Sequence, residues 1–168
     1  MKRADFCIQS IQQLPKDELL RLGIRVLLID VDNTLMRHGQ RRFDAPTLAF
    51  LESLKVAGFR LFLCSNAKAD RLESLAHSAD LEAIPKAQKP SGKAIRRFLE
   101  EKHIDPKTVA MVGDQYFTDV WAAEHAGLCS IWSKPLSEDE AWFIRPKRCL
   151  EALLIRLWNL EFRDGDGA

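Results

Sequence analysis

Short uninterrupted apolar runs alternate along the chain with longer stretches in which apolar residues recur at helical spacing, the pattern of an α/β protein. Val26-Leu27-Leu28-Ile29 and Leu61-Phe62-Leu63-Cys64 contain no polar alternation. Strands that read this way are covered on both faces, which points to a parallel sheet. Strands are expected at 26–30, 60–65, 108–112 and 129–132, with a short edge strand at 82–84. Between them the spacing predicts a helix opened by Pro46, with Leu48, Leu51, Leu54 and Val56 inward, and stopped by Gly58. Further helices are expected over 68–79, over 92–102 with Ser91 as N-cap and Ile95, Phe98 and Leu99 inward, and from Thr118 to Gly127. A last helix is expected over 145–162, with Leu150, Leu153, Leu154, Leu157 and Trp158 on one buried stripe.

The expected class is therefore α/β: a three-layer, doubly wound, mainly parallel sheet with right-handed crossovers. A length of 168 residues suits one domain over 1–168. Residues 1–23 form an amino-terminal annex in this reading, with Phe6, Ile8 and Ile11 apolar, a break at Pro15 and a helical turn from Lys16 to Leu22; residues 163–168 form a frayed tail.

Composition changes little. The chain is 46% hydrophobic and 29% charged with a formal net charge of +1, so no global field draws it to nucleic acid or anionic membrane. The basic start at Lys2 and Arg3 has no apolar run behind it, so no signal peptide is expected, and no apolar stretch nears the ~20 residues of a membrane helix. Cys7, Cys64, Cys129 and Cys149 lie far apart with no Cys-x-x-Cys, so free thiols in a reducing cytoplasm are expected.

The chemistry sits at strand ends. Asp30 closes the first apolar run, and Asp32, two residues on, can aim at the same space. Alone, such a pair reads better as an acidic turn. Three further pieces follow in order: Ser65-Asn66 after the second strand, Lys89-Pro90 before a helix, and Gly113-Asp114-Gln115-Tyr116-Phe117-Thr118-Asp119 after another buried strand. A hydroxyl with backbone N–H groups suits a phosphate oxygen, and a lysine suits an anion.

The series Asp-x-Asp-Asn-Thr, Ser, Lys, Gly-Asp-x-x-x-x-Asp resembles the four motifs of the haloacid-dehalogenase superfamily of aspartate-nucleophile phosphohydrolases. Gly23-Ile24, the run from Gly113 to Val120, Gly127-Leu128 and Lys134-Pro135-Leu136 are similar to the YqeG-type branch of subclass IIIA, whose eukaryotic relatives are phosphatidylglycerophosphate phosphatases. The resemblance implies a Rossmann-like core and phosphate-monoester hydrolysis through an aspartyl-phosphate. It implies Asp30 as nucleophile and Asp32 as the acid and base. It gives Ser65, Asn66 and Lys89 to the phosphate, and Mg²⁺ to Asp30, the Asp32 carbonyl and Asp114, with Asp119 acting behind them.

Neither the stretch from Asp32 to Asn66 nor that from Asn66 to Lys89 has room for a cap domain, so a large substrate or a lipid head group at a membrane surface is expected to close the site. Arg37, Arg41 and Arg42, with His38, are expected at its rim as anion-binding residues; Arg145, Lys147 and Arg148 read as a solvated charged face. The expected location is cytoplasmic, with peripheral membrane attachment as the lipid variant. Competing readings are a catalytically idle scaffold, for example on the ribosome, and a phosphatase of nucleic-acid ends. The latter would need a basic groove with exposed aromatics, and the short basic loops speak against it.

Overall fold

The first strong apolar run forms the central strand of the sheet. In the computed structural model, which describes residues 2–84, 86–137 and 145–163, β2 (Val26–Ile29) is buried along its length. It pairs in parallel with β3 (Arg60–Leu63) on one side and β5 (Val109–Gly113) on the other, Ile29 lying level with Leu63 and with Val112. The order across the sheet is β1 (Phe6–Ile8), β6 (Cys129–Ser133), β5, β2, β3 and β4 (Glu82–Ala83), all parallel. After β2 the chain builds outward through β3 to β4, then crosses to β5 and builds the other way. The carboxyl end of β2 is therefore where strand order reverses, the place where ligands bind in open α/β sheets.

Alternating strand residues feed two cores. Leu27, Ile29, Leu61, Leu63, Ala110 and Val112 pack on one face with the buried residues of α1 (Lys16–Arg21), α2 (Ala45–Val56) and α3 (Ala69–Ser78). On the other face Leu28, Phe62, Cys64 and Met111 meet Ile95, Phe98 and Leu99 of α4 (Lys93–Glu101) and Ala122, Ala123 and Ala126 of α5 (Trp121–Ala126). The expected three-layer sheet is observed, and among the described residues no module is inserted between its elements.

Local chemistry sets the element ends. The Asp44 carboxylate accepts from the Thr47 N–H at 2.9 Å and starts α2. Ser91, expected as the N-cap of α4, sits one residue early. Gly92 takes that place with φ of +65°, and a Cβ there would stand 3.0 Å from the Ala126 nitrogen, so glycine is required twice over. A π-helical turn (Tyr116–Val120) precedes α5.

Both chain ends differ from the sequence-based expectation. The segment read as an annex supplies β1, the sixth strand, with Cys7 and Ile8 buried. Arg163, read as the start of a frayed tail, donates its N–H to the Cys7 carbonyl at 2.9 Å and accepts from the Gln9 N–H, so it covers the outer edge of β1; residues 164–168 lie outside those described.

The largest departure is α6 (Arg145–Trp158). Leu154 is buried, but Leu150, Leu153 and Leu157 are 51–67% exposed, so the leucine stripe points outward. The inward face instead carries Glu151, Leu154, Ile155 and Trp158, packed near Tyr116 and Trp132. Apolar periodicity lost here to a buried ionic contact described below.

Asp5 fastens the amino terminus to β6. Its Oδ2 accepts from the Ser130 N–H at 2.9 Å and from the Ser130 hydroxyl at 2.8 Å. Burial alone would raise its pKa, but the bonds from Ser130 and Lys2 outweigh burial and hold it below the usual carboxylate range. Asp5→Ala is expected to cost about 1–2 kcal/mol at neutral pH. Because the folded pKa is the lower one, this contribution is present above about pH 4 and lost as pH falls through the folded value. Thermal or urea unfolding of both proteins across that window checks it.

Candidate active site

The first carboxylate stands one residue beyond the end of β2. Asp30 still belongs to the ladder, its N–H donating to the Val112 carbonyl at 2.9 Å, so its side chain leaves the sheet at the switch point. The chain then folds back tightly: Asn33 takes φ of +61°, and its N–H donates to the Met36 carbonyl at 2.7 Å. Asparagine tolerates that left-handed conformation better than most residues. Asp32, in the same turn, reaches the same cavity as Asp30.

That cavity encloses about 330 Å³ and is lined by Asp30, Asp32, His38, Ser65, Asn66, Ala67, Lys89, Gln115, Thr118 and Asp119. All six residues singled out as catalytic, phosphate-binding or metal-binding, together with Asp119, therefore meet at one end of the sheet, Asp114 lying buried just behind the lining. Ser65 follows β3, is buried, and accepts from the Ala67 N–H at 3.1 Å. The Asn66 side chain is used on Lys89: its amide donates to the Lys89 carbonyl at 2.9 Å and accepts from the Lys89 N–H at 2.8 Å. Asn66 thus pins the loop that delivers Lys89.

The centre is an ion cluster almost sealed from solvent. Lys89 Nζ lies 2.6 Å from Asp30 Oδ1 and 2.6 Å from Asp119 Oδ1, with all three side chains at most 9% exposed. Burial disfavours the ammonium ion, but Asp119 and Asp30 outweigh burial and hold the Lys89 pKa above its ordinary range. Asp119 Oδ2 accepts from the Gln115 N–H at 3.0 Å. Gly113 makes this approach possible: a Cβ there would fall 2.3 Å from Asp119 Cγ and Oδ2.

Asp114 is wholly buried. Its Oδ1 accepts from the Thr34 hydroxyl at 3.3 Å and its Oδ2 pairs with Arg148 Nη2. Arg148, read as part of a solvated face, is turned inward from α6. Its Nη1 donates to the Asp114 carbonyl at 2.6 Å and to Glu151 Oε2 at 2.8 Å, while Glu151 Oε1 accepts from the Tyr116 N–H at 2.6 Å. The pair brackets the Asp114–Tyr116 turn and explains the orientation of α6. The side chains of Arg145 and Lys147 lie outside those described.

Oxygens of Asp30, Asp114 and Asp119 lie within 4.8 Å of one another. Burial pushes the Asp30 pKa up to about 7, with the Asp119 charge adding to the rise and Lys89 opposing it; burial likewise raises Asp114 well above the carboxylate range. Among the described residues, four buried carboxylates, counting Glu151, pair with two cationic side chains, Lys89 and Arg148. The excess of two negative charges on hard oxygen donors fits one divalent cation.

Asp32 makes a different pair. Arg71, on α3, donates from Nη1 to Oδ2 at 2.7 Å and from Nη2 to Oδ1 at 2.9 Å, and His38 Nδ1 lies 3.5 Å from Oδ1. Sequence reading missed Arg71, because a lone arginine at a helix start carries no motif. Of the expected rim residues, His38 lines the cavity, whereas Arg37, Arg41 and Arg42 are exposed and outside its lining.

A model of the family described as haloacid dehalogenase-like hydrolase matches residues 42–127. The chain is 23% identical over 151 residues to a Bacillus subtilis protein named probable phosphatase YqeG, spanning 90% of this chain and 88% of that one. It is 27% identical over 164 residues to the chloroplastic/mitochondrial phosphatidylglycerophosphate phosphatase 1 of Arabidopsis thaliana, spanning 90% of this chain and 46% of that protein. The fold is similar to the crystal structure of 3-deoxy-D-manno-octulosonate 8-phosphate phosphatase from Yersinia pestis, with a TM-score of 0.55, 20% identity, and coverage of 78% of this chain and 73% of that one.

The Arg148–Glu151 bracket leads to a test in metal binding. If it holds Asp114 in place, Arg148→Met weakens divalent-cation affinity by about 10–100-fold, the usual effect of removing a group that orients a ligand. Simple charge repulsion predicts the reverse, tighter binding once a cation is gone. Calorimetric titration of wild-type and variant proteins separates the two, with Leu150→Ser on the opposite face as the control.

Proposed function

The chain belongs to the haloacid dehalogenase-like hydrolases, and on that premise we propose that it is a Mg²⁺-dependent phosphatase acting through a phosphorylated Asp30 on extended phosphate monoesters, lipid phosphates among them. The observation that carries the reading is Asp30 itself: a buried carboxylate at the switch point, 2.6 Å from Lys89 and facing a polar cavity. The named activities of the Bacillus and Arabidopsis relatives support phosphate-ester chemistry.

In this account the monoester enters with its phosphoryl oxygens towards Ser65 and Lys89, which bind and orient it. Asp30 attacks phosphorus in line, forming a P–O bond as the bond to the leaving oxygen breaks. Asp32 delivers a proton to that oxygen and later takes one from the water that cleaves the aspartyl-phosphate, restoring Asp30. Asp119 steadies Lys89 throughout. The hard oxygens of Asp30 and Asp114 would hold a divalent cation such as Mg²⁺, which when bound would supply charge withdrawal from the phosphoryl group.

The lipid reading rests on a second feature. A groove of about 560 Å³ opens between α6 and the end of β6, lined by Trp132, Pro135, Ala152, Ile155 and Phe162 with Lys134 and Asp114 among its polar residues. An apolar groove sharing Asp114 with the ion cluster suits the acyl portion of a phosphorylated lipid. The outward row Leu150, Leu153 and Leu157 supports contact of α6 with a lipid surface, and no helix among the described residues is long and apolar enough to cross a membrane. Arg37, Arg41 and Arg42, being exposed, would attract the anionic surface through a field screened beyond ~8 Å at physiological salt.

Two outcomes follow. Asp30→Asn removes the attacking oxygen at nearly constant shape and is expected to abolish phosphate release while the melting temperature stays at or above that of wild type; turnover in that variant would end the covalent account. Ile155→Asn places an amide in the groove and is expected to lower kcat/KM for a micellar lipid phosphate, relative to a small ester, by about 10–200-fold. An unchanged ratio would remove the lipid from the groove.

A further inference from the structure

Lys89, at the centre of the ion cluster, is delivered by a loop that is tied at two points. Asn66 engages the main chain of Lys89 itself, donating to its carbonyl at 2.9 Å and accepting its N–H at 2.8 Å. Two bonds that end on one side-chain amide leave the loop able to pivot about them. The next carbonyl along, that of Pro90, accepts a hydrogen bond from His125 Nδ1 at 2.7 Å. A carbonyl oxygen can only accept, so this contact puts the imidazole proton on Nδ1.

His125 is an exposed residue in the last turn of α5, outside the cavity lining, and three contacts converge on it. Its imidazole holds Pro90, and its carbonyl accepts from Arg96 Nη1 of α4. Its backbone packs against Gly92, where a Cβ would stand 3.0 Å from the His125 carbonyl carbon and from its Cβ. The same helical segment carries Asp119 at its start, because the turn Tyr116–Val120 runs directly into α5. One short element therefore holds Lys89 twice: Asp119 takes the ammonium group at 2.6 Å, and His125 takes the carbonyl of the following residue.

This double hold fixes a direction. A lysine ammonium group has three N–H donors and no acceptor. Two are engaged by Asp30 and Asp119, which leaves one for an oxygen in the cavity that Lys89 lines. A pivot of the loop about Asn66 would swing that third N–H out of line. We propose that His125 is a positioning residue for Lys89: by holding the Pro90 carbonyl it stops the pivot and aims the third Lys89 N–H at the phosphoryl group. The proposal rests on the phosphatase reading and adds to it a residue that touches no substrate yet sets how well the cavity binds the reacting group. One exposed hydrogen bond adds little to the stability of the whole chain, so the contribution of His125 lies in placement.

The test compares wild type with His125→Phe, which keeps a ring and loses the donor, and with His125→Asn, whose amide nitrogen occupies the position of Nδ1. Three quantities are read: kcat and KM on para-nitrophenyl phosphate, the affinity for inorganic phosphate at saturating Mg²⁺, and the affinity for Mg²⁺ alone. His125→Phe is expected to lower kcat by about 10–100-fold, the range for a small misplacement of a binding group. Phosphate affinity should fall severalfold, while Mg²⁺ affinity and melting temperature stay close to wild type. His125→Asn should recover most of both losses. In a Lys89→Arg background, which keeps a cation among the acids, His125→Phe should have much less effect on phosphate binding, since the ammonium group it positions is gone. A merely structural residue would, when lost, weaken Mg²⁺ and phosphate binding together and lower the melting temperature. That pattern, equal losses in His125→Phe and His125→Asn, or a His125→Phe protein with unchanged kcat and phosphate affinity, overturns the proposal. Absent hydrolysis, with phosphate binding weakened in His125→Phe and recovered in His125→Asn, would remove the phosphatase reading and leave the positioning role standing.

Discussion

Three carboxylates crowded around one buried ammonium group set the terms for this protein. Asp30, Asp114 and Asp119 come within 4.8 Å of one another in a region that water scarcely reaches, and Lys89 bridges two of them at 2.6 Å. Bringing like charges together there costs several kcal/mol per uncompensated ion. That cost is tolerated only where the surrounding fold over-determines the geometry. Three parallel strands supply that rigidity: β2 delivers Asp30, β5 delivers Gly113 and Asp114, and the turn after β3 fixes the Lys89 loop through Asn66.

The same constraint reaches outward through the chain. Gly113 carries no side chain because Asp119 occupies the place of its Cβ. The helix α6 buries a glutamate and an arginine and exposes three leucines, because Asp114 and the Tyr116 N–H need partners more than those leucines need cover. Burying a Leu side chain contributes about 1.5–3 kcal/mol. Leaving Glu151 or Asp114 unpaired in the interior would cost at least as much. The outcome also leaves an apolar surface and an apolar groove beside the ion cluster.

What could be read from the sequence follows the same division. The apolar runs of β2, β3 and β5 and the acids at their ends were legible because each signal is local: a strand covered on both faces, then a side chain at its tip. The resemblance to the superfamily motifs joined those tips into one site before any geometry was known, and the sheet order agrees with it. Arg71 was not legible, since its role depends on α3 lying across the mouth of the β2 turn, a relation no spacing encodes. The direction of α6 was misread because seven of the nine residues from Leu150 to Trp158 are apolar and satisfy a helical stripe in more than one rotation, and only Asp114, more than thirty residues earlier, decides between them. The sixth strand was missed because Phe6–Ile8 is short and half-exposed at its start, and its pairing with β6 is a contact between distant parts of the chain.

The central claim is that the buried Asp30 carboxylate accepts the phosphoryl group. The most direct measurement quenches the protein with acid during turnover of a phosphate monoester, reduces it with borohydride, which converts an acyl phosphate to the corresponding alcohol, and maps the altered residue by mass spectrometry. The account predicts one modified site, at Asp30, present only while substrate remains. Modification at Ser65, Thr34 or His38, or turnover with Asp30 unaltered at every time point, would contradict it.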